Sequence, residues 1–130
     1  MNYYIGTVIK NISFDEAIVK VTEELKNEGF GVLSEIDVSE TLKKRIDVDF
    51  KKYKILGACN PQFAYKALSS EDKIGVFLPC NVVVEENDNG DIEVSAVDPV
   101  ASMISVKNDA LGGLASEVKQ KLARVIENLS

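Results

Sequence analysis

The turn Asp88-Asn89-Gly90 is the sequence feature that most constrains the fold of this chain. Asn-Gly pairs favour tight hairpin turns, because the central positions of such turns need positive φ angles. An apolar run at residues 74–84 precedes the turn, and alternating apolar residues at 92–96 follow it. We therefore expect a fourth and a fifth strand joined as a hairpin. Strands joined in this way are antiparallel, which argues against a doubly wound parallel sheet.

Periodicity and capping signals place the other elements. Ser13 and Glu16 form a capping box at the start of the first helix, and Gly29 ends that helix. The last helix starts at Asn108 or Asp109. Its apolar stripe is the strongest in the chain and consists of Leu111, Leu114, Val118, Leu122, Val125, Ile126 and Leu129. The remaining predicted elements are strands at 3–8, 30–36 and 53–59 and a helix at 61–68. A shorter helix that Asp37 or Ser39 caps runs to about Ile46, and a helical turn from Asp98 reaches about Met103 or Ile104.

The order of these elements, β-α-β-α-β-α-β-β-α, indicates one domain over residues 1–130. Amphipathic helices need a shared sheet face to cover. The sequence therefore predicts an α+β domain in which the first and last helices pack on a curved, mostly antiparallel five-stranded sheet. Pro79 interrupts the fourth strand, and since proline cannot donate to a strand ladder, we expect it to mark a bulge or an edge.

Composition excludes several classes of function. The net charge is −6, so non-specific attraction to nucleic acid or to an anionic membrane is not expected. The chain has no histidine, which removes Ser-His-Asp and Cys-His catalysis and the commonest metal ligand. Its two cysteines do not form a Cys-x-x-Cys motif. The N-terminal residues resemble no signal peptide, and no apolar run has membrane-spanning length, so we expect a cytoplasmic protein with reduced cysteines.

Both cysteines are followed by asparagine, and a proline lies beside each Cys-Asn pair. Cys59-Asn60 precedes Pro61, and Cys80-Asn81 follows Pro79. Cys59 ends the third strand, just before a helix N-terminus that can favour the thiolate form. If the third and fourth strands are neighbours, the two Cys-Asn pairs would meet at one rim of the sheet.

Four segments together resemble a known family. They are Gly-Val-Leu-Ser-Glu-Ile-Asp at 31–37, Ile-Leu-Gly-Ala-Cys-Asn-Pro at 55–61, Leu-Pro-Cys-Asn-Val at 78–82, and Asp-Pro at 98–99. Over nearly its whole length the chain is similar to the domain of unknown function 302 family, the TT1751-like proteins. The resemblance implies a TATA-binding-protein-like α+β domain that associates as a dimer. It implies no activity, and fold alone does not decide function.

The candidate ligand-binding residues are those that this rim would bring together: Cys59, Asn60, Cys80, Asn81, Asp98 and Met103. Five of the six have a structural alternative. A free cysteine is often a small core residue, Asn60 and Asp98 suit helix caps, and Met103 suits the core. Asn81 differs, because a polar residue inside an apolar strand needs a hydrogen-bonding partner.

Three functional hypotheses remain open at this point. The first is a homodimeric binding module whose pocket near the two Cys-Asn pairs takes a small molecule or a soft metal. The second is a thiol-dependent redox or transferase enzyme with Cys59 as thiolate and Cys80 as resolving partner. The third is a purely structural dimerisation module. The pattern identifies no cofactor and no set of metal ligands.

Overall fold

Five strands form one sheet in the computed structural model, which describes residues 2–130. The strands are β1 (Tyr4–Ile9), β2 (Gly31–Asp37), β3 (Tyr53–Cys59), β4 (Cys80–Glu86) and β5 (Ile92–Val97). Their spatial order is β1-β5-β4-β3-β2, and every neighbouring pair is antiparallel. The prediction of an α+β fold with a five-stranded antiparallel sheet is confirmed.

The predicted hairpin joins β4 to β5. Gly90 has a φ of +89°, and its N–H donates to the carbonyl of Asn87 over 2.9 Å. This left-handed conformation is the one that glycine adopts at little cost. The turn thus sets the antiparallel pairing from which the rest of the sheet extends.

The helices α1 (Phe14–Asn27) and α5 (Asp109–Leu129) pack on one face of the sheet. Alternate strand residues point into this layer and are buried, as the period of two requires. From the three central strands these residues are Leu56, Ala58, Cys80, Val82, Val84, Ile92, Val94 and Ala96. No helix within residues 2–130 has both the length and the apolarity that a membrane span needs.

The helix caps follow the sequence signals. Ser13 Oγ accepts from the Glu16 N–H over 3.1 Å, and Glu16 Oε1 accepts from the Ser13 N–H over 3.3 Å, which confirms the capping box. Asp37 caps α2 (Val38–Ile46), which buries none of its residues. Asn108 caps α5 by accepting from the Ala110 N–H over 3.1 Å.

The prediction that a single strand spans residues 74–84 is wrong. Residues Asp72–Phe77 form a 3₁₀ helix, and β4 begins only at Cys80. Leu78 donates its N–H to the carbonyl of Gly75 over 3.1 Å, so this backbone turns instead of extending. Pro79 has no N–H to give to a ladder, and it therefore stands before the strand rather than at a bulge within it. The irregularity in the sheet lies in β2, between Val32 and Ser34.

A second, smaller apolar cluster lies beyond the end of the sheet. It joins α3 (Pro61–Ser70), the 3₁₀ helix and the first turns of α5 through three buried residues, Ala67, Ile74 and Leu111. Met103, which follows the short helix α4 (Pro99–Ser102), packs against it. The molecule therefore has a main core on the sheet and a satellite core beside it.

Candidate functional site

A cavity of about 460 Å³ lies where the main core meets the satellite core. The end of β3 and the start of β4 line one side of it, and α3, the 3₁₀ helix and the first half of α5 line the other. Ala58, Cys80 and Leu111 line it and are buried, so they form its floor. Leu33 and Leu68 line it but are 73% and 44% exposed, and so stand at its mouth.

Small side chains explain why the two cores do not close against each other. The cavity wall contains Ala58, Ala64, Ala67, Gly75 and Ala115, which come from β3, α3, the 3₁₀ helix and α5. Protein interiors normally pack at crystal-like density, so a gap of this size is a specific feature of the fold. Small residues on facing elements leave the room that a larger side chain would fill.

The cysteines lie on neighbouring strands at this cavity. Cys80 pairs with Ala58 across the β3–β4 ladder, so Cys59 is one residue beyond that partner. Burial, and to a smaller extent the nearby Cys59, raise the pKa of Cys80 from 9.0 to about 11. Cys80 is therefore a neutral thiol at physiological pH, which does not suit the resolving thiolate of a redox pair.

Asn60 links β3 to α3 and has one polar group to spare. Its Oδ1 accepts from the Phe63 N–H over 3.5 Å and caps α3, and Pro61 takes the first helical position. Its Nδ2 has no hydrogen-bond partner among the residues that the structure describes. The side chain thus caps α3, and its amide donor is not used by the described part of the chain.

Two of the six residues that the sequence singled out lie away from the cavity. Asn81 pairs with Gly57, is exposed, and lines a shallow depression of about 390 Å³ on the opposite, open face of the sheet. Solvent can satisfy this amide, so it needs no buried partner. Asp98 caps α4 by accepting from the backbone N–H groups of Val100 and Ala101 over 3.0 and 3.3 Å.

The buried carboxylate of Asp98 also anchors α4 to α5. Lys119 Nζ lies 3.0 Å from its Oδ2. Burial acts to raise the pKa of Asp98, but the hydrogen bonds from Lys119 and from the capped backbone outweigh it and hold that pKa below 3.8. Asp98 is therefore ionised at neutral pH, and it supports the α4 segment from which Met103 reaches the cavity wall.

The cavity brings together Cys59, Asn60, Cys80 and Met103. The sequence interpretation missed the apolar wall from the 3₁₀ helix and α5, which includes Leu78, Leu111 and Leu114. One feature of the sequence, the length of the last helix, could have predicted this wall. A 21-residue helix is about 31 Å long and a seven-residue strand about 23 Å, so the first turns of α5 must extend past the sheet and contact something else.

Within residues 2–130, no group of three or more cysteine, aspartate or glutamate side chains is arranged to hold a metal ion. Two of the residues at the cavity are nevertheless thiols, and Met103 adds a thioether. Apart from these sulfur atoms, the polar groups at the wall are the hydroxyl of Ser34 and the amide of Asn60. The arrangement can bind an apolar molecule and offers it few hydrogen bonds.

Comparison with known proteins gives a family but no activity. The family model "Domain of unknown function DUF302" matches residues 5–129. A crystal structure of an uncharacterized conserved DUF302 protein from Bacillus stearothermophilus is similar over 100% of both chains, with a TM-score of 0.91 and 29% sequence identity. No curated protein matches the chain. The family resemblance is thereby confirmed, and the narrower likeness to TT1751-like proteins stays a prediction.

Proposed function

Since the chain belongs to the DUF302 family, to which no function is assigned, we propose a function from its cavity: the protein is a binding module for a small molecule. The observation that carries this proposal is the apolar cavity of about 460 Å³ between the two cores. Small-molecule sites in proteins measure roughly 300–1,000 Å³ and combine apolar walls with a few polar groups. The cavity has this size and this composition.

The shape of the wall supports a guest molecule rather than a packing defect. The floor is buried and rigid, since Ala58 and Cys80 belong to the central sheet. The mouth is bordered by the exposed leucines Leu33 and Leu68, which would be covered when an apolar molecule enters. Covering apolar surface contributes roughly 25 cal/mol per Å² to binding before the entropic costs are subtracted.

A soft metal is the second candidate occupant, because Cys59, Cys80 and Met103 all line the same cavity. Thiolate and thioether sulfur atoms select ions such as Cu(I). A metal would have to displace the proton of Cys80, whose raised pKa makes this step costly near neutral pH. We therefore rank the small molecule first.

We also propose that the protein is a cytoplasmic homodimer that binds no nucleic acid. The family resemblance implies dimers, and the sheet face opposite α1 and α5 offers a surface with a neutral centre that includes Val83, Ser95 and Val97. Glu85 and Glu93 lie at the side of this surface and would repel the phosphates of a nucleic acid. A second copy of this chain, which pairs through the uncharged residues of the surface, is the partner that we propose.

The test of the binding function is to close the cavity. Ala64→Phe places an aromatic ring in the cavity, whereas Gln62→Phe places the same ring on the exposed side of the same helix. A panel of small apolar metabolites and a Cu(I) titration are screened by thermal shift with the wild type and both variants. A ligand at 100 times its Kd adds about 2.7 kcal/mol, which raises the Tm of a domain of this size by about 10 °C.

We expect the wild type and Gln62→Phe to respond to the same ligands and Ala64→Phe to lose the response. A Cu(I) response that Ala64→Phe retains and Cys80→Ser loses would support the metal instead. If nothing stabilises the wild type, or if a ligand stabilises all three proteins equally, the binding function is refuted. A structural dimerisation module would then be the remaining interpretation.

A further inference from the structure

The amide of the cavity lies at the N-terminal end of α3. Asn60 caps this helix and Cys59 precedes it at the end of β3, while the hydroxyl of Ser34 on β2 lies opposite Gly57. Seven residues further along α3, about 10 Å away along the helix axis, the wall around Ala67 belongs to the satellite core. That end contains Leu111, and Met103 and Leu114 pack against it. The cavity therefore has a polar end and a wholly apolar end.

The wall of the cavity contains no charged residue, although 28% of the chain is Asp, Glu, Lys or Arg. An ion that entered such a cavity would lose its hydration without gaining an opposite charge. A neutral ligand suffers no comparable loss. The composition of the wall thus selects against both carboxylates and ammonium groups.

One donor at the polar end is free to recognise a ligand. Asn60 Oδ1 is occupied by the Phe63 N–H, but Nδ2 is not used by the described part of the chain. A Cβ at Gly29, in the turn between α1 and β2, would lie 3.1 Å from this Nδ2, so a larger residue at that position would crowd the amide. A carbonyl oxygen of a ligand could accept a hydrogen bond there, while its hydrocarbon part runs along α3.

We propose, on the basis of the binding function above, that the ligand is an uncharged amphiphile. Its aliphatic part fills the satellite end of the cavity, and its ester, amide or ketone oxygen accepts a hydrogen bond from Asn60 Nδ2. This assigns Asn60 as the residue that determines the polarity of the ligand. The cap that it provides to α3 keeps the donor in place.

Four probes with an eight-carbon chain separate the alternatives. Methyl octanoate is neutral and has a carbonyl, octanoate is an anion, octylammonium is a cation, and 1-octene has neither charge nor carbonyl. Their Kd values are measured on the wild-type protein by competition with a fluorescent apolar probe. We expect methyl octanoate to bind at least about tenfold more tightly than either ion, because an unpaired charge is not compensated in the cavity.

The matched variant is Asn60→Asp, because aspartate caps a helix as well as asparagine but has no amide donor. We expect it to lower the affinity for methyl octanoate relative to that for 1-octene by about fivefold, the effect of one neutral hydrogen bond. Asn60→Ser, which also caps, should lower the same ratio. A purely structural role would change both affinities together and leave the ratio as it was.

The outcomes distinguish this inference from the function on which it depends. If octanoate or octylammonium binds as tightly as the ester, or if the ratio of ester to alkene affinity is unchanged in both variants, the ligand class is wrong and the binding module stands. If no probe binds and none displaces the fluorescent probe, and the Ala64→Phe experiment also shows no response, both proposals are refuted.

Discussion

Gly57 in β3 has no side chain, so Ser34 of β2 and Pro79, which precedes β4, can pack closely against this strand. A Cβ added there would collide with Ser34 Oγ and lie 2.8 Å from Pro79 Cγ. The hydroxyl can rotate away, but the proline ring cannot move without shifting the backbone that starts β4. We therefore expect Gly57→Ala to destabilise the protein, against the general rule that alanine is better than glycine inside a strand.

The size of the effect follows from two opposing contributions. Overpacking in a well-packed interior costs about 1–3 kcal/mol. Replacing glycine by alanine stabilises the folded state by about 0.5–1 kcal/mol, because the unfolded chain loses conformational freedom. From the middle of each range the net loss is about 1 kcal/mol, which lowers the Tm of a 130-residue domain by about 4 °C.

Chemical denaturation and calorimetry of three variants test this reasoning. Gly31→Ala is the matched control, since Gly31 lies in the neighbouring strand and a Cβ there meets nothing within 4 Å. It should be neutral or slightly stabilising. Adding Ser34→Ala to Gly57→Ala removes the contact with the hydroxyl and should recover part of the loss, as a double-mutant cycle would show. The reasoning is refuted if Gly57→Ala is as stable as Gly31→Ala.

Three further predictions concern charge, thiols and assembly. Because the folded pKa of Asp98 is lowered, its contribution to stability is present above pH 3.8 and is lost as the pH falls through the lower folded value. Asp98→Asn and Lys119→Met should therefore be less stable than the wild type at pH 7, with a difference in denaturation midpoint that shrinks in acid; a constant difference would contradict this. At pH 8, iodoacetamide should label Cys59 before Cys80, and it should modify Cys80 about 100-fold more slowly than a thiol of pKa 9.0. Peptide mass spectrometry measures both rates, and equal rates would contradict the burial of Cys80. Light scattering should find a dimer that Val83→Lys dissociates, and a wild-type monomer at 100 μM would end the homodimer proposal.

The fold could be predicted largely because its signals are local. The Asn89-Gly90 turn, the Ser13 and Glu16 capping box, and the alternation in β5 each depend on a few neighbouring residues. The error at residues 74–77 has the same origin. A short apolar run is compatible with a strand or a helical turn, and only packing of Ile74 into the satellite core decides between them.

The sequence analysis predicted a pocket near the cysteines, but not its size or its far wall, because the cavity is a gap between the main core and the satellite core. Whether Ala67 and Leu111 close against Ala58 and Cys80 depends on how α3 and α5 dock. No periodicity encodes that distance. The length of α5 predicts that this helix extends beyond the sheet, but it does not predict which elements the extension contacts.

The two Cys-Asn pairs are alike in sequence and differ in geometry, and strand alternation explains the difference. Cys80 and Asn81 both lie within β4, so their side chains point to opposite faces, and only Cys80 reaches the cavity. Cys59 is the last residue of β3, and Asn60 has already left the strand to cap α3. Alternation no longer applies to it, and both members of the pair line the cavity. The repeated dipeptide therefore brings its asparagine to the cavity wall only where it lies at the end of a strand.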